Sequence, residues 1–157
     1  MVYVSGGSSG HLLGRGALLG VASGMRSTVG LAALVRGPTR DLPGVLAHRL
    51  ARPAAGVAVG AELVLDKMPF TGSRLDPEGI AGRLVFAGLG AALLARRAQA
   101  GAAKGASVVL LAVACSALSA KVAHDLRAKC AETVPDAAVA IGEDLLALGV
   151  AALACRD

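Results

Sequence analysis

The chain has 157 residues, 55% of them hydrophobic and 17% charged, and a formal net charge of +5. A mean hydropathy of +0.64 excludes an ordinary soluble domain of this length, which keeps much of its surface in water and cannot enclose so large an apolar fraction. The basic excess does not point to nucleic acid, because Lys and Arg fall mainly between apolar segments and only one Tyr and two Phe accompany them.

Residues 1–10 are polar and Gly/Ser-rich, with no basic region leading into an apolar one. They are expected to form a disordered tail, leaving 11–157 as a single polytopic transmembrane domain. A first apolar segment runs from about Gly16 to Val35, interrupted by Arg26. Leu42 to Arg52 is amphipathic enough for a short interfacial helix ended by Pro53. The second segment spans about Pro53 to Lys67. The third starts after Asp76-Pro77-Glu78, an N-cap followed by Pro at the first helical position, and continues to about Ala95. The fourth covers roughly Gly105 to Ala123. The fifth begins at Thr133-Val134-Pro135-Asp136, which fits a capping box, and ends near Cys155. The fold expected is an all-α integral membrane protein of about five short transmembrane helices. The second and third segments fall a few residues short of the roughly 20 that cross a bilayer upright.

Arg36, Arg40, Arg49, Arg52, Arg96, Arg97, Lys104 and Arg156 share one side of a five-crossing chain. Arg15, Lys67, Arg74, Arg83, Arg127 and Lys129 lie on the other, diluted by acids. The bias favours an outer N-terminus and a cytoplasmic C-terminus in a bacterial plasma membrane. Gly16, Gly20 and Gly24, and again Gly56 and Gly60, recur at four-residue spacing, so each set opens a flat stripe for close helix packing. Such stripes favour a homo-oligomer; a high-GC codon bias is the bland alternative.

Pro53 to Leu63 aligns without gaps on Pro135 to Leu145, and the alignment pairs Glu62 with Asp144. A weaker likeness joins the first and fourth segments. With one helix between the two pairs, segments 1–2 and 4–5 would form an inverted-topology repeat, as in many transporters; chance agreement among Ala, Val and Gly is the competing explanation. Arg26, Ser27, Glu62, Glu143 and Asp144 fall within segments, where a charge costs a few kcal/mol or more and faces the bundle interior. They make a candidate central polar site, or an ion-pair cluster that only fixes register. Asp66, Lys67, Ser73, Arg74, Lys121, His124, Asp125 and Arg127 form a candidate interfacial polar site, with a solvated loop as the plainer reading of Ser73 and Arg74. The three cysteines and three histidines have no metal-ligand spacing, so neither metal nor cofactor is expected.

These residues resemble a family of small bacterial membrane proteins known as domain of unknown function 4126. The resemblance rests on Gly24-Met25-Arg26-Ser27, on Glu62 to Pro69 with Ser73-Arg74, on Gly79 to Arg83, and on Pro135-Asp136 leading to Glu143-Asp144. It covers most of the chain from about Gly16. Near the end of the fourth segment, where relatives tend to carry an aromatic residue and arginines, this chain has Lys121 to Arg127 with different chemistry. The resemblance implies an all-helical membrane fold and no activity.

The leading expectation is a channel or transporter that passes or binds a small solute or ion at the central site, with membrane lipid as its surroundings. The alternative is a non-catalytic accessory subunit of a homo-oligomer or envelope complex. A membrane enzyme acting on lipid headgroups through Asp66, Ser73, Arg74 and Asp125 is the third, and no soluble-enzyme motif accompanies it.

Overall fold

The computed structural model describes residues 7–36, 44–65, 77–130 and 134–156, and all the regular structure in them is helical. The helices are α1 (Gly7–Met25), α2 (Val29–Arg36), α3 (Gly44–Ala47), α4 (Ala51–Leu65), α5 (Pro77–Arg97), α6 (Ala102–Cys130) and α7 (Asp136–Ala154).

Two of these, α5 over Gly79–Arg97 and α6 over its whole length, are long and apolar enough to cross a membrane. At about 1.5 Å per residue the 29 residues of α6 reach roughly 43 Å. It continues seven residues past the expected end at Ala123, because His124 to Cys130 contains neither Pro nor Gly to stop it.

The first expected segment is two helices. Arg26 N still donates to Ala22 O (2.9 Å), but the ladder then lapses until Ala32 N reaches Thr28 O (2.9 Å). Ser27 and Thr28 sit in the gap, where short hydroxyl side chains weaken a helix interior. Upstream, α1 starts at Gly7, so residues 7–10 of the expected tail are helical; residues 1–6 lie outside the described residues.

Of the expected interfacial helix, residues 42 and 43 lie outside the described residues, and the described part is broken, with α3 and a turn at 48–50 before α4. Pro53 does not end a helix; it is the third residue of α4, where a missing N–H removes no intrahelical bond. His48 supports this start, its carbonyl accepting from Ala51 N (2.8 Å) and its Nδ1 from Leu50 N (3.3 Å). At α7 the expected capping box gives way to an N-cap at Pro135 with no side-chain hydrogen bond, and Thr133 lies outside the described residues.

The core centres on α1, which packs along α6, α7 and α5. A Cβ added at Gly16 would lie 2.7 Å from Val108 Cγ1, one at Gly20 would collide with the Ala112 backbone, and one at Gly24 with Ser116 and Ser119. The first glycine stripe is therefore filled by α6 of the same chain, not left free for a second copy. In the second stripe, Gly56 lies under Arg36, and Gly60 has open space.

The tight α5–α6 hairpin is closed by Gln99 at φ 49°, with Ala100 N bonded to Ala95 O (3.0 Å). A side chain in this left-handed region costs about 1 kcal/mol relative to Gly. Gln99→Gly is thus expected to raise stability by up to about 1 kcal/mol, read as a higher unfolding midpoint in detergent.

Candidate functional site: the break between α1 and α2

Breaking a helix in a packed interior exposes carbonyls at the end of α1 and N–H groups at the start of α2, with partial negative and positive charge respectively. Each end meets a charge of opposite sign. Glu62, half-buried on α4, receives Ser27 N (2.6 Å) at Oε1. Its Oε2 accepts from Thr28 N (2.9 Å) and from the Thr28 hydroxyl (2.5 Å). A carboxylate from another helix thus caps α2. At the other end, Arg83 of α5 donates from Nη1 to Gly24 O (2.6 Å).

Between the two ends sits Arg26, 1% exposed and the largest fully buried side chain among the described residues. Its Nε donates to Asp144 Oδ1 of α7 (2.6 Å), and its Nη2 makes an ion pair with the same oxygen. Asp144 is also buried. The pair can be maintained only if dehydrating both ions is offset by their attraction and hydrogen bonds. Hydroxyls extend the polar strip: Ser116 Oγ donates to Arg83 O (3.4 Å), and Ser119 Oγ lies within bonding distance of Val21 O (3.1 Å) and Ser116 O (3.2 Å).

Of the five expected central residues, Arg26, Ser27, Glu62 and Asp144 meet at the break, while Glu143 is half-buried one position before Asp144 on α7. The expected interfacial set is different. Asp66, Lys67, Ser73 and Arg74 lie outside the described residues. Lys121 and Asp125 form an exposed i,i+4 pair (3.0 Å) on α6, a contact worth about 0.3–0.5 kcal/mol on a helix surface; His124 and Arg127 are half-buried nearby.

Sequence reasoning missed Arg83 by grouping it with loop charges. Its signal was present, because it is the seventh residue of an apolar helix, past the first turn. Two further arginines act in the same way on orphan carbonyls. Arg15 Nε donates to Ala154 O at the end of α7 (2.8 Å), and Arg97 Nη2 to Leu34 O near the end of α2 (2.8 Å). Among the described residues no group of three His, Cys, Asp or Glu side chains is placed to hold a metal.

Glu62→Ala should remove three hydrogen bonds to a charged acceptor and leave two backbone donors uncapped. A loss of about 2 kcal/mol is expected, with faster hydrogen exchange confined to the amides of Ser27 and Thr28.

No family model, curated protein or solved structure matches this chain.

Proposed function

We propose that the chain is a small multi-pass bacterial membrane protein whose broken α1–α2 helix forms an intramembrane site for a small solute or ion. The observation that carries the reading is the buried Arg26 at a helix break, paired with Asp144 from α7, while Glu62 from α4 accepts from the neighbouring Ser27 and Thr28. Discontinuous helices with charged groups at their ends are the usual way transporters build binding sites at mid-membrane depth.

The outer surface supports a lipid environment. Val57 on α4, Leu110 on α6 and Leu145 on α7 are 71%, 70% and 65% exposed, an outer apolar surface suited to lipid and costly in water. α2 turns back along α1: a Cβ on Gly30 would lie 3.3 Å from Leu19 O, and α5 reaches Gly24 with Arg83 and Leu34 with Arg97. The proposed plan is therefore a re-entrant α1–α2 hairpin followed by crossings at α4, α5, α6 and α7, with both termini on the side where Arg15 meets Ala154 O (2.8 Å), in place of the expected five crossings with termini on opposite sides. Short α4 (15 residues) would need local bilayer thinning or its flanking residues to complete a crossing. Glu62 and Asp144, paired in the internal alignment, both reach the break. That convergence supports an inverted relation between α4 and α7.

A second reading has its own support. Each charge at the break already has a partner within the chain, as expected of an accessory subunit that uses ion pairs only to fix helix register. Flux across reconstituted vesicles separates the two. The site reading predicts that the wild type passes K⁺, Cl⁻ or protons faster than a Glu62→Gln/Asp144→Asn variant. Equal leakage from empty vesicles, wild type and variant favours the accessory subunit.

A further inference from the structure

A groove of about 740 Å³ runs between α2, α3 and α4 and is floored by Phe86 of α5. Its volume lies within the range of about 300–1,000 Å³ typical of small-molecule sites. Leu31 and Val35 form one wall, and Ala54 and Ala58 the other. Small side chains on α4 leave the trough open, and its surface is overwhelmingly apolar.

The two ends differ. At the inner end is Thr28, whose hydroxyl is already donated to Glu62 (2.5 Å), so little polar capacity remains there for a ligand. At the outer end is His48. The Arg36 guanidinium lies over the middle of α4, outside the groove's lining, with its Nη2 2.8 Å from where a Cβ on Gly56 would stand. Arg49 and Arg52 are exposed in the same region, and the described residues of 29–36 and 44–61 include no acid; Arg40 and Asp41, between α2 and α3, lie outside the described residues. From Thr28 to Arg36, helix α2 rises roughly 12 Å at about 1.5 Å per residue, close to the hydrocarbon depth of one leaflet of a ~30 Å core.

We propose that this groove holds one acyl chain of an anionic phospholipid, its tail directed toward Thr28 and its headgroup held by Arg36, His48 and Arg49. The inference rests on the membrane reading above. A free solute has little to bind in the apolar trough, whereas an acyl chain fills it and a negative headgroup meets the basic mouth. Near an anionic leaflet each Lys or Arg contributes about 1 kcal/mol to such attraction.

The test is native mass spectrometry of the full chain extracted from bilayers of equal phosphatidylglycerol and phosphatidylcholine. One phosphatidylglycerol should be retained per chain, in about tenfold preference to phosphatidylcholine. Arg36→Gln/Arg49→Gln should abolish the preference, and Ala58→Phe should expel the lipid with helicity unchanged. Should Ala58→Phe fail to fold, the double arginine variant carries the test. Equal retention of the two lipids, no retained lipid, a free fatty acid in their place, or an unaltered preference in the double variant would each overturn the proposal. Those results would leave the membrane reading intact. Recovery of the chain in the soluble fraction after alkaline extraction would overturn both.

Discussion

Arg26→Leu is expected to lower folding stability by about 3–5 kcal/mol, the largest loss from any single charge removal among the described residues. The guanidinium keeps its proton at any accessible pH, so its burial depends on the Asp144 carboxylate. Removing the arginine leaves that buried carboxylate without its Arg26 ion pair, and the cost of its dehydration is then offset far less. Arg26→Leu/Asp144→Leu should recover part of the loss, because two apolar side chains in place of a buried pair leave no stranded charge. Unfolding in mixed micelles, completed as a double-mutant cycle with Asp144→Leu, measures the coupling. An Arg26→Leu protein as stable as wild type, or a cycle with no coupling, would show that the pair does not hold the break.

Gly20→Leu should be nearly as damaging, for a steric reason. A Cβ at this position collides with the carbonyl and Cα of Ala112, and backbone cannot rotate away as a side chain can. α1 and α6 must separate, breaking the most extensively packed interface in the fold. Overpacking of a core costs about 1–3 kcal/mol and sometimes more, and a clash with backbone belongs at the upper end. Gly60→Leu is the control: with open space around Gly60, a change within about 0.5 kcal/mol is expected. Folded yield and unfolding midpoint should fall for Gly20→Leu alone. Crosslinking of copies is not the informative measurement at Gly20, because its stripe is covered from within the chain.

The contrast shows where the sequence was legible. Apolar length and Pro/Gly punctuation located α4, α5 and α7 and the start of α6 to within a few residues, since those signals are local, but not the end of α6, which runs seven residues further. The cost of burying Arg26 pointed to an acid nearby, and Asp144 was among the candidates. The helix break was not foreseen, because Ser27-Thr28 is only weakly unfavourable in a helix. It becomes stable through Glu62 and Arg83, which arrive from residues 35 and 59 positions away. The glycine stripe showed that something packs closely on α1 but not that the partner is α6, since small-residue spacing carries no identity for the facing helix. Arg15, Arg83 and Arg97 were read as topology signals because charge counting cannot tell a residue facing water from one capping a carbonyl.

The most direct test of the intramembrane site is water access to the break. In a chain with Cys115, Cys130 and Cys155 replaced by Ala, Ser27→Cys and Val57→Cys are each exposed to a charged, membrane-impermeant thiol reagent from either side of sealed vesicles. Ser27 lies at the break, whereas Val57 is on the exposed apolar face of α4. Reaction of Ser27→Cys from one side, with Val57→Cys unreactive from both, is the predicted result. A Ser27→Cys that reacts from neither side, or a Val57→Cys that reacts as fast, would contradict a hydrated site within a lipid-facing bundle.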